Sequence, residues 1–201
     1  VPDTSYEEIK FGLSTAMESL ATYGITSVHD AGAGSQVVAA YKELAEEAPL
    51  PIRVNVMLSA SDPLYLDRIS EGHFRSDDDT LAINSVKVVA DGALGSRGAA
   101  LIEDYSDEPG NRGLLRYNDE RLEYLMRAAM NAGFQVNTHA IGDAANMIVL
   151  DNYEQLINET NSRGMRHRVE HAQILRYEDI LRFAELGVIP SMQATHATSD
   201  K

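Results

Sequence analysis

Cysteine is absent from the 201-residue sequence. Its absence excludes disulfides, thiolate zinc sites and cysteine nucleophiles. Any metal must therefore be held by histidine, by carboxylate or by a modified lysine. Histidine is then the expected ligand type for a transition metal, since imidazole suits zinc and its neighbours.

Long apolar runs and basic residues are also scarce. No apolar stretch reaches the roughly 18 residues that a membrane-spanning helix needs, so we expect no membrane partner. Acidic residues outnumber basic ones 31 to 17, giving a formal net charge of −14, which disfavours nucleic acid as a partner. The 44% of hydrophobic residues is enough to bury a core. We expect a cytoplasmic location.

Short β-branched runs alternate with helical periodicity along the whole chain. The pattern indicates six strand–helix units at a spacing of about thirty residues, which is typical of parallel α/β architecture. The strands are expected to end near Asp30, Ser59, Asp91, Ile141, Gln173 and Ala194.

Two parallel architectures fit this alternation. A doubly wound sheet would have a glycine-rich first turn, and the segment 30–34 matches that fingerprint only weakly. A closed (β/α)8 barrel needs about 250 residues and eight strands. The sequence therefore predicts an α/β fold that is an incomplete (β/α)8 TIM-type barrel, holding about strands two to seven. Residues 1–201 would form one partial domain without the first and last barrel strands, excised from a longer protein.

Polar residues fall where the predicted strands end. Lys87 interrupts an apolar strand, while His139 and His171 each end a strand, with His29 and His196 in comparable places. Strand ends of a barrel converge on the face that carries active sites. His139 and His171 are therefore candidate metal ligands, although a single buried histidine is more often a hydrogen-bonded core residue.

Lys87 has three possible roles. Burial in a barrel lowers the pKa of a lysine, and a neutral amine can form a Schiff base with a carbonyl substrate. It can also add carbon dioxide and become a carbamate that bridges two metals. The third possibility is an ion pair with Asp91, four residues further on. Sequence chemistry alone leaves these alternatives open.

Five motifs, in the same order along nearly the whole chain, resemble the YtcJ-like branch of the amidohydrolase superfamily. They are the segments Gly24–Gly32, Val86–Arg97, Asn137–Asp143, Arg166–Gln173 and Pro190–Asp200. The resemblance implies a metal-dependent hydrolase on a distorted (β/α)8 barrel. It also implies that Lys87 is carboxylated and holds metal together with His139 and His171.

The resemblance further implies the cofactors and the reaction. The expected cofactors are a divalent metal, zinc by preference, with one or two ions in the intact protein, and carbon dioxide as the lysine carbamate. The intact enzyme would cleave a non-peptide C–N bond, amide or formamide-like, in a small molecule by metal-activated water. Asp91, Arg97 and His196 would contact the substrate, since they lie in the long loop after Asp91 and in the segment after the last strand.

The sequence also departs from the family pattern. The His-x-His motif of the first barrel strand does not occur, and the general-base aspartate of the eighth strand would lie beyond Lys201. No catalytic residue is therefore assigned with certainty in this chain. Uncovered edge strands predict a partner, either a second copy or the remainder of its own chain. Two other functions stay open, a Schiff-base lyase or aldolase using Lys87 and a catalytically inert oligomerising fragment.

Overall fold

The computed structural model describes residues 4–199, and these divide into two compact units, 4–87 and 88–199. In the first unit three strands pair in parallel in the order β1-β2-β4, and the short β3 pairs antiparallel with β4. Its elements are α1 (Tyr6–Thr22), β1 (Ser27–Ala33), α2 (Ser35–Glu47), β2 (Arg53–Ser59), α3 (Tyr65–Ser70), β3 (Phe74–Arg75) and β4 (Leu81–Val89), the last continuing into the second unit.

The second unit repeats the alternation of helix and parallel strand, with β6 pairing to both β5 and β7. Its elements are α4 (Asp119–Asn131), β5 (Gln135–Ala140), α5 (Asp143–Thr160), a 3-10 turn (Arg163–Met165), β6 (Arg168–His171), α6 (Tyr177–Leu186), β7 (Ile189–Ser191) and α7 (His196–Ser199). None of the helices within residues 4–199 combines the length and apolarity that crossing a bilayer requires.

The sequence predicts helix caps at Ser5, Asn118 and Asp143, and two of these three predictions are confirmed. Ser5 and Glu8 form a reciprocal capping box at α1, and the Asn118 side chain accepts the Arg121 N–H at the start of α4. Asp143 was expected to cap α5, but it is the first helical residue and Gly142 is the N-cap. That prediction was wrong because a backbone carbonyl from a distant loop replaces the side-chain cap.

Strand β1 runs through the segment that the sequence predicts to be a turn. Residues 30–33 stay in the strand, and the register with β2 shifts between Ala31 and Ala33. Gly32, with a φ of 121°, takes up the extra residue as a bulge. The β-branched run 188–192 predicts the last strand, and β7 is shorter than that run, while no pattern in the sequence predicts β3 or α7.

The long loop between β4 and α4 docks on the start of α5. The Ala100 carbonyl accepts the N–H groups of Ala144 (3.2 Å) and Ala145 (3.4 Å), and the Asp143 carboxylate accepts the Ile102 N–H (2.9 Å). These bonds satisfy helix N–H groups that have no partner inside the helix. A Cβ added to Gly142 would overlap the Ala100 carbonyl, so this close approach requires glycine.

We expect Gly142→Ala to destabilise the chain by about 2 kcal/mol, because the new methyl group pushes the loop off α5. Denaturant unfolding measures the cost, and hydrogen exchange at Ala144 and Ala145 should speed up. The control is Gly95→Ala in the same loop, where an added Cβ meets nothing within 4 Å. Equal stability of the two variants would contradict this account of the loop.

His167 is a core residue of the second unit, at the rim opposite the strand ends. Its Nδ1 accepts the Val136 N–H at 3.0 Å, and its Nε2 donates to Ser162 Oγ at 3.0 Å. The Tyr153 ring stacks on it with centroids 5.6 Å apart. Burial disfavours the imidazolium and lowers the pKa of His167 to about 4. The residue is therefore neutral in the folded chain at neutral pH.

Because the folded pKa is depressed, the stability that neutral His167 contributes is complete above pH 6.5 and is lost as the pH falls through 4. Between pH 7 and pH 4 the loss from this one group is about 3 kcal/mol. His167→Gln should show a shallower fall in unfolding free energy over that range. His73→Gln, in an exposed loop, serves as the control and should keep the full slope. If the unfolding free energy of His167→Gln falls with pH as steeply as that of the unmodified chain, His167 is not the group responsible.

Candidate active site

Strand alternation places His139 on the face of β5 that points away from helix α5. The neighbouring Thr138 Oγ1 lies 2.9 Å from the Tyr153 hydroxyl of α5, so Thr138 faces the helix. Successive side chains of a strand point to opposite faces, and register partners in a parallel pair share a face. His139 therefore shares the opposite face with its partner Glu170 in β6 and with the buried Asn137.

The His171 side chain lies on that same face only because the backbone at His171 and Ala172 has positive φ angles. Its register partner is Ala140, and simple alternation would turn both toward α5. Instead φ is 78° at His171 and 43° at Ala172, a left-handed conformation that costs a non-glycine residue about 1–2 kcal/mol. The result is an edge-to-face contact in which the imidazole centroids of His139 and His171 are 4.6 Å apart. The structure thus brings together two of the three predicted metal ligands.

The tautomer of His139 follows from its neighbours. Its Nε2 lies 3.3 Å from Asp91 Oδ1 and 3.4 Å from the Gly92 carbonyl oxygen. A carbonyl oxygen only accepts, and so does an ionised carboxylate, so Nε2 carries the proton and Nδ1 carries the lone pair. An acceptor on one ring nitrogen is the usual arrangement for a histidine that binds metal through the other.

The side chain of Gln193 determines the tautomer of His171 in the same way. Its Oε1 lies 2.8 Å from His171 Nδ1 and 3.1 Å from His196 Nε2. The oxygen can only accept, so both nitrogens donate, and Nε2 of His171 is the nitrogen suited to a metal. The imidazole centroids of His171 and His196 are 6.1 Å apart. His196 therefore lies near the predicted site, whereas the role of Gln193 was missed because no spacing rule marks it.

Asp91 is buried at the beginning of the long loop. Its carboxylate accepts the N–H groups of Ala100 (3.0 Å), Ile141 (3.0 Å) and Gly142 (2.8 Å), besides its contact with His139. These contacts tie the loop to the end of β5 and orient the imidazole. The prediction that Asp91 contacts substrate stays a prediction.

Arg97 lies further along the loop, and its guanidinium pairs with Asp107 and with Glu108 (3.3 Å). The nearby carboxylates raise the pKa of Arg97 above its usual value, which keeps it charged. The side chain is partly exposed, and its contacts close the loop on itself. Its predicted role in substrate binding stays a prediction.

Lys87 ends the first unit, inside β4. Its carbonyl accepts the Ala60 N–H at 2.9 Å, and its register partner in β2 is Ser59. A Cβ on Gly32 would lie 3.6 Å from Lys87 Cγ, an ordinary van der Waals distance, so the lysine stem passes close to Gly32. Within residues 4–199, no group of three or more His, Cys, Asp or Glu side chains is arranged to hold a metal. The predicted third ligand, Lys87, is a lysine and therefore does not belong to these four residue types.

Two solved structures share the fold of this chain. They are uncharacterised metal-dependent hydrolases from Pyrococcus horikoshii OT3 (TM-score 0.86, 30% identity) and Pyrococcus furiosus (TM-score 0.85, 32% identity). Each match covers 98% of this chain, and 39% and 40% of those chains respectively. The likeness confirms the predicted fold class, an α/β chain with the strands and helices of an incomplete (β/α)8 barrel.

Curated relatives agree with the structural likeness. The putative amidohydrolase YtcJ of Bacillus subtilis (strain 168) is 31% identical over 208 residues, spanning all of this chain and 37% of the relative. Protein LONG AFTER FAR-RED 3 of Arabidopsis thaliana is 41% identical over 120 residues, which is 60% of this chain and 21% of that protein. This chain thus spans well under half the length of these relatives. A model of the amidohydrolase family matches residues 3–201. The chain belongs to the amidohydrolase family, as its five motifs predicted.

Proposed function

We propose that this chain supplies metal ligands to a hydrolase that cleaves a non-peptide C–N bond of the amide or formamide type. The observation that carries the proposal is the contact between His139 and His171, each with one nitrogen held by an oxygen acceptor. Family membership and the likeness to metal-dependent hydrolases support hydrolytic chemistry.

The donor set fits a divalent transition metal. Nδ1 of His139 and Nε2 of His171 are the atoms that would hold it, because the other nitrogens donate to Asp91, Gly92 and Gln193. Lys87, as a carbamate, is the proposed third ligand, with zinc the proposed ion. When bound, such an ion polarises a substrate carbonyl and lowers the pKa of water.

The residues of the chain then have distinct tasks. Asp91 and Gln193 orient the two imidazoles, while His196 and Arg97 are proposed to contact the substrate. The proton-accepting aspartate is proposed to lie beyond Lys201. We also propose a cytoplasmic location. The partner is proposed to be a second copy of this chain or the remainder of a longer chain.

Elemental analysis of the purified chain tests the site directly. We expect near-stoichiometric zinc or a similar divalent metal, and its loss in His139→Ala and in His171→Ala. His73→Ala, in an exposed loop of the first unit, should keep the metal.

Absence of metal from the unmodified chain would contradict the proposed site in this chain. Trapping of Lys87 by borohydride with a carbonyl compound, without any metal requirement, would favour the Schiff-base alternative instead. Neither metal nor trapping, with both histidine variants tolerated, would favour the inert fragment.

Gln193→Ala should lower zinc affinity about 10- to 100-fold, because His171 loses the acceptor that fixes its tautomer. A chelator-competition titration measures this. Gln155→Ala removes an exposed carboxamide on α5 and should leave the affinity unchanged. Equal affinities for the two variants would show that Gln193 does not position His171.

A further inference from the structure

A cavity of about 540 Å³ opens beside His171 in the second unit. This volume lies within the usual range for small-molecule sites. Its wall is formed by the segment after β6 and by the segment from Met192 to Ala197. Because His171 is part of the wall, a molecule in the cavity would lie against one of the proposed metal ligands.

Half of the residues that line the cavity are apolar, and the other half are histidines and glutamines. Ile174, Met192, Ala194 and Ala197 provide the apolar surface, and the described lining includes no Asp, Glu, Lys or Arg. Met192 is 61% exposed, which is unusual for a methionine and places its flexible thioether at the wall. A charged ligand group would lose hydration here and would meet no oppositely charged Asp, Glu, Lys or Arg side chain among the described lining residues.

The polar groups of the wall suit a neutral amide. Gln193 uses Oε1 to accept from two imidazoles, so its NH2 group is the donor it can offer to a ligand carbonyl. His171 and His196 both contact this carboxamide and both line the cavity. A carbonyl oxygen bound there would sit beside His171, with the rest of the molecule directed along the apolar wall.

We propose that this cavity is a specificity pocket for an uncharged, apolar substituent, such as a cycloalkyl or branched alkyl group, on the substrate's amide. The proposal rests on the hydrolase function above and adds its substrate class. It excludes carboxylate-bearing and ammonium-bearing substituents at this position.

The test uses binding, so that it does not depend on turnover. The chain, labelled with ¹³C at methionine methyl groups, is titrated with N-cyclohexylacetamide, and the Met192 signal is assigned with Met192→Leu. We expect a saturable shift of that signal. Two probes that keep the ring and the amide but carry a carboxylate or an ammonium group at ring position 4 should bind at least about tenfold more weakly.

Two variants locate the binding site. Ala197→Glu, on the exposed side of the wall, should weaken binding of N-cyclohexylacetamide about tenfold or more, and Ile174→Ser should do so without adding charge. Leu181→Asp introduces a charge at an exposed apolar residue of α6 outside the cavity and should change nothing.

Each outcome decides the matter. A missing Met192 shift, equal binding of the charged probes, or equal loss in Leu181→Asp would overturn the pocket proposal even if zinc is bound. Selective binding together with bound zinc supports both proposals. Selective binding by a chain that holds no zinc would leave an apolar ligand pocket but overturn its role in substrate specificity.

Discussion

The buried carboxylate of Asp91 is the group on which the positions of the long loop, the end of β5 and the His139 ring depend. Three backbone N–H groups from two segments converge on its oxygens, and His139 Nε2 lies 3.3 Å away. A buried carboxylate is stable only when hydrogen bonds compensate for its lost hydration. The N–H groups that supply these bonds belong to the long loop and to the residues after β5, so Asp91 fixes both segments. Loop position and imidazole orientation are therefore consequences of one interaction.

The left-handed backbone at His171 and Ala172 shows where the fold accepts strain. Strand alternation alone would separate His139 from His171 on opposite faces of the sheet. The strained residues bring the two rings together, and Gln193 then fixes the second ring. Sparsely populated backbone conformations of this kind concentrate at functional sites, where surrounding contacts compensate for their cost.

Helical periodicity, capping residues and turn residues were sufficient to predict most of the helices and strands and to place His139 and His171 at strand ends, but not to predict β3 or α7. The capping box at Ser5 and the cap at Asn118 are local signals, and the positions of His139 and His171 at strand ends follow from the same pattern. The Ala100 carbonyl at the start of α5 and the carboxamide of Gln193 were not predictable in this way. Both act across long sequence distances, and a backbone carbonyl carries no residue-specific signal.

The dependence of His171 on Gln193 also has a consequence for biosynthesis. A ribosome releases β5 and β6 before residue 193, so both imidazoles exist in the nascent chain before the second is oriented. Domains generally form as units while synthesis proceeds from the N-terminus. The orientation of His171 is thus one of the last features of the second unit to form, because it requires a residue that is synthesised after both strands.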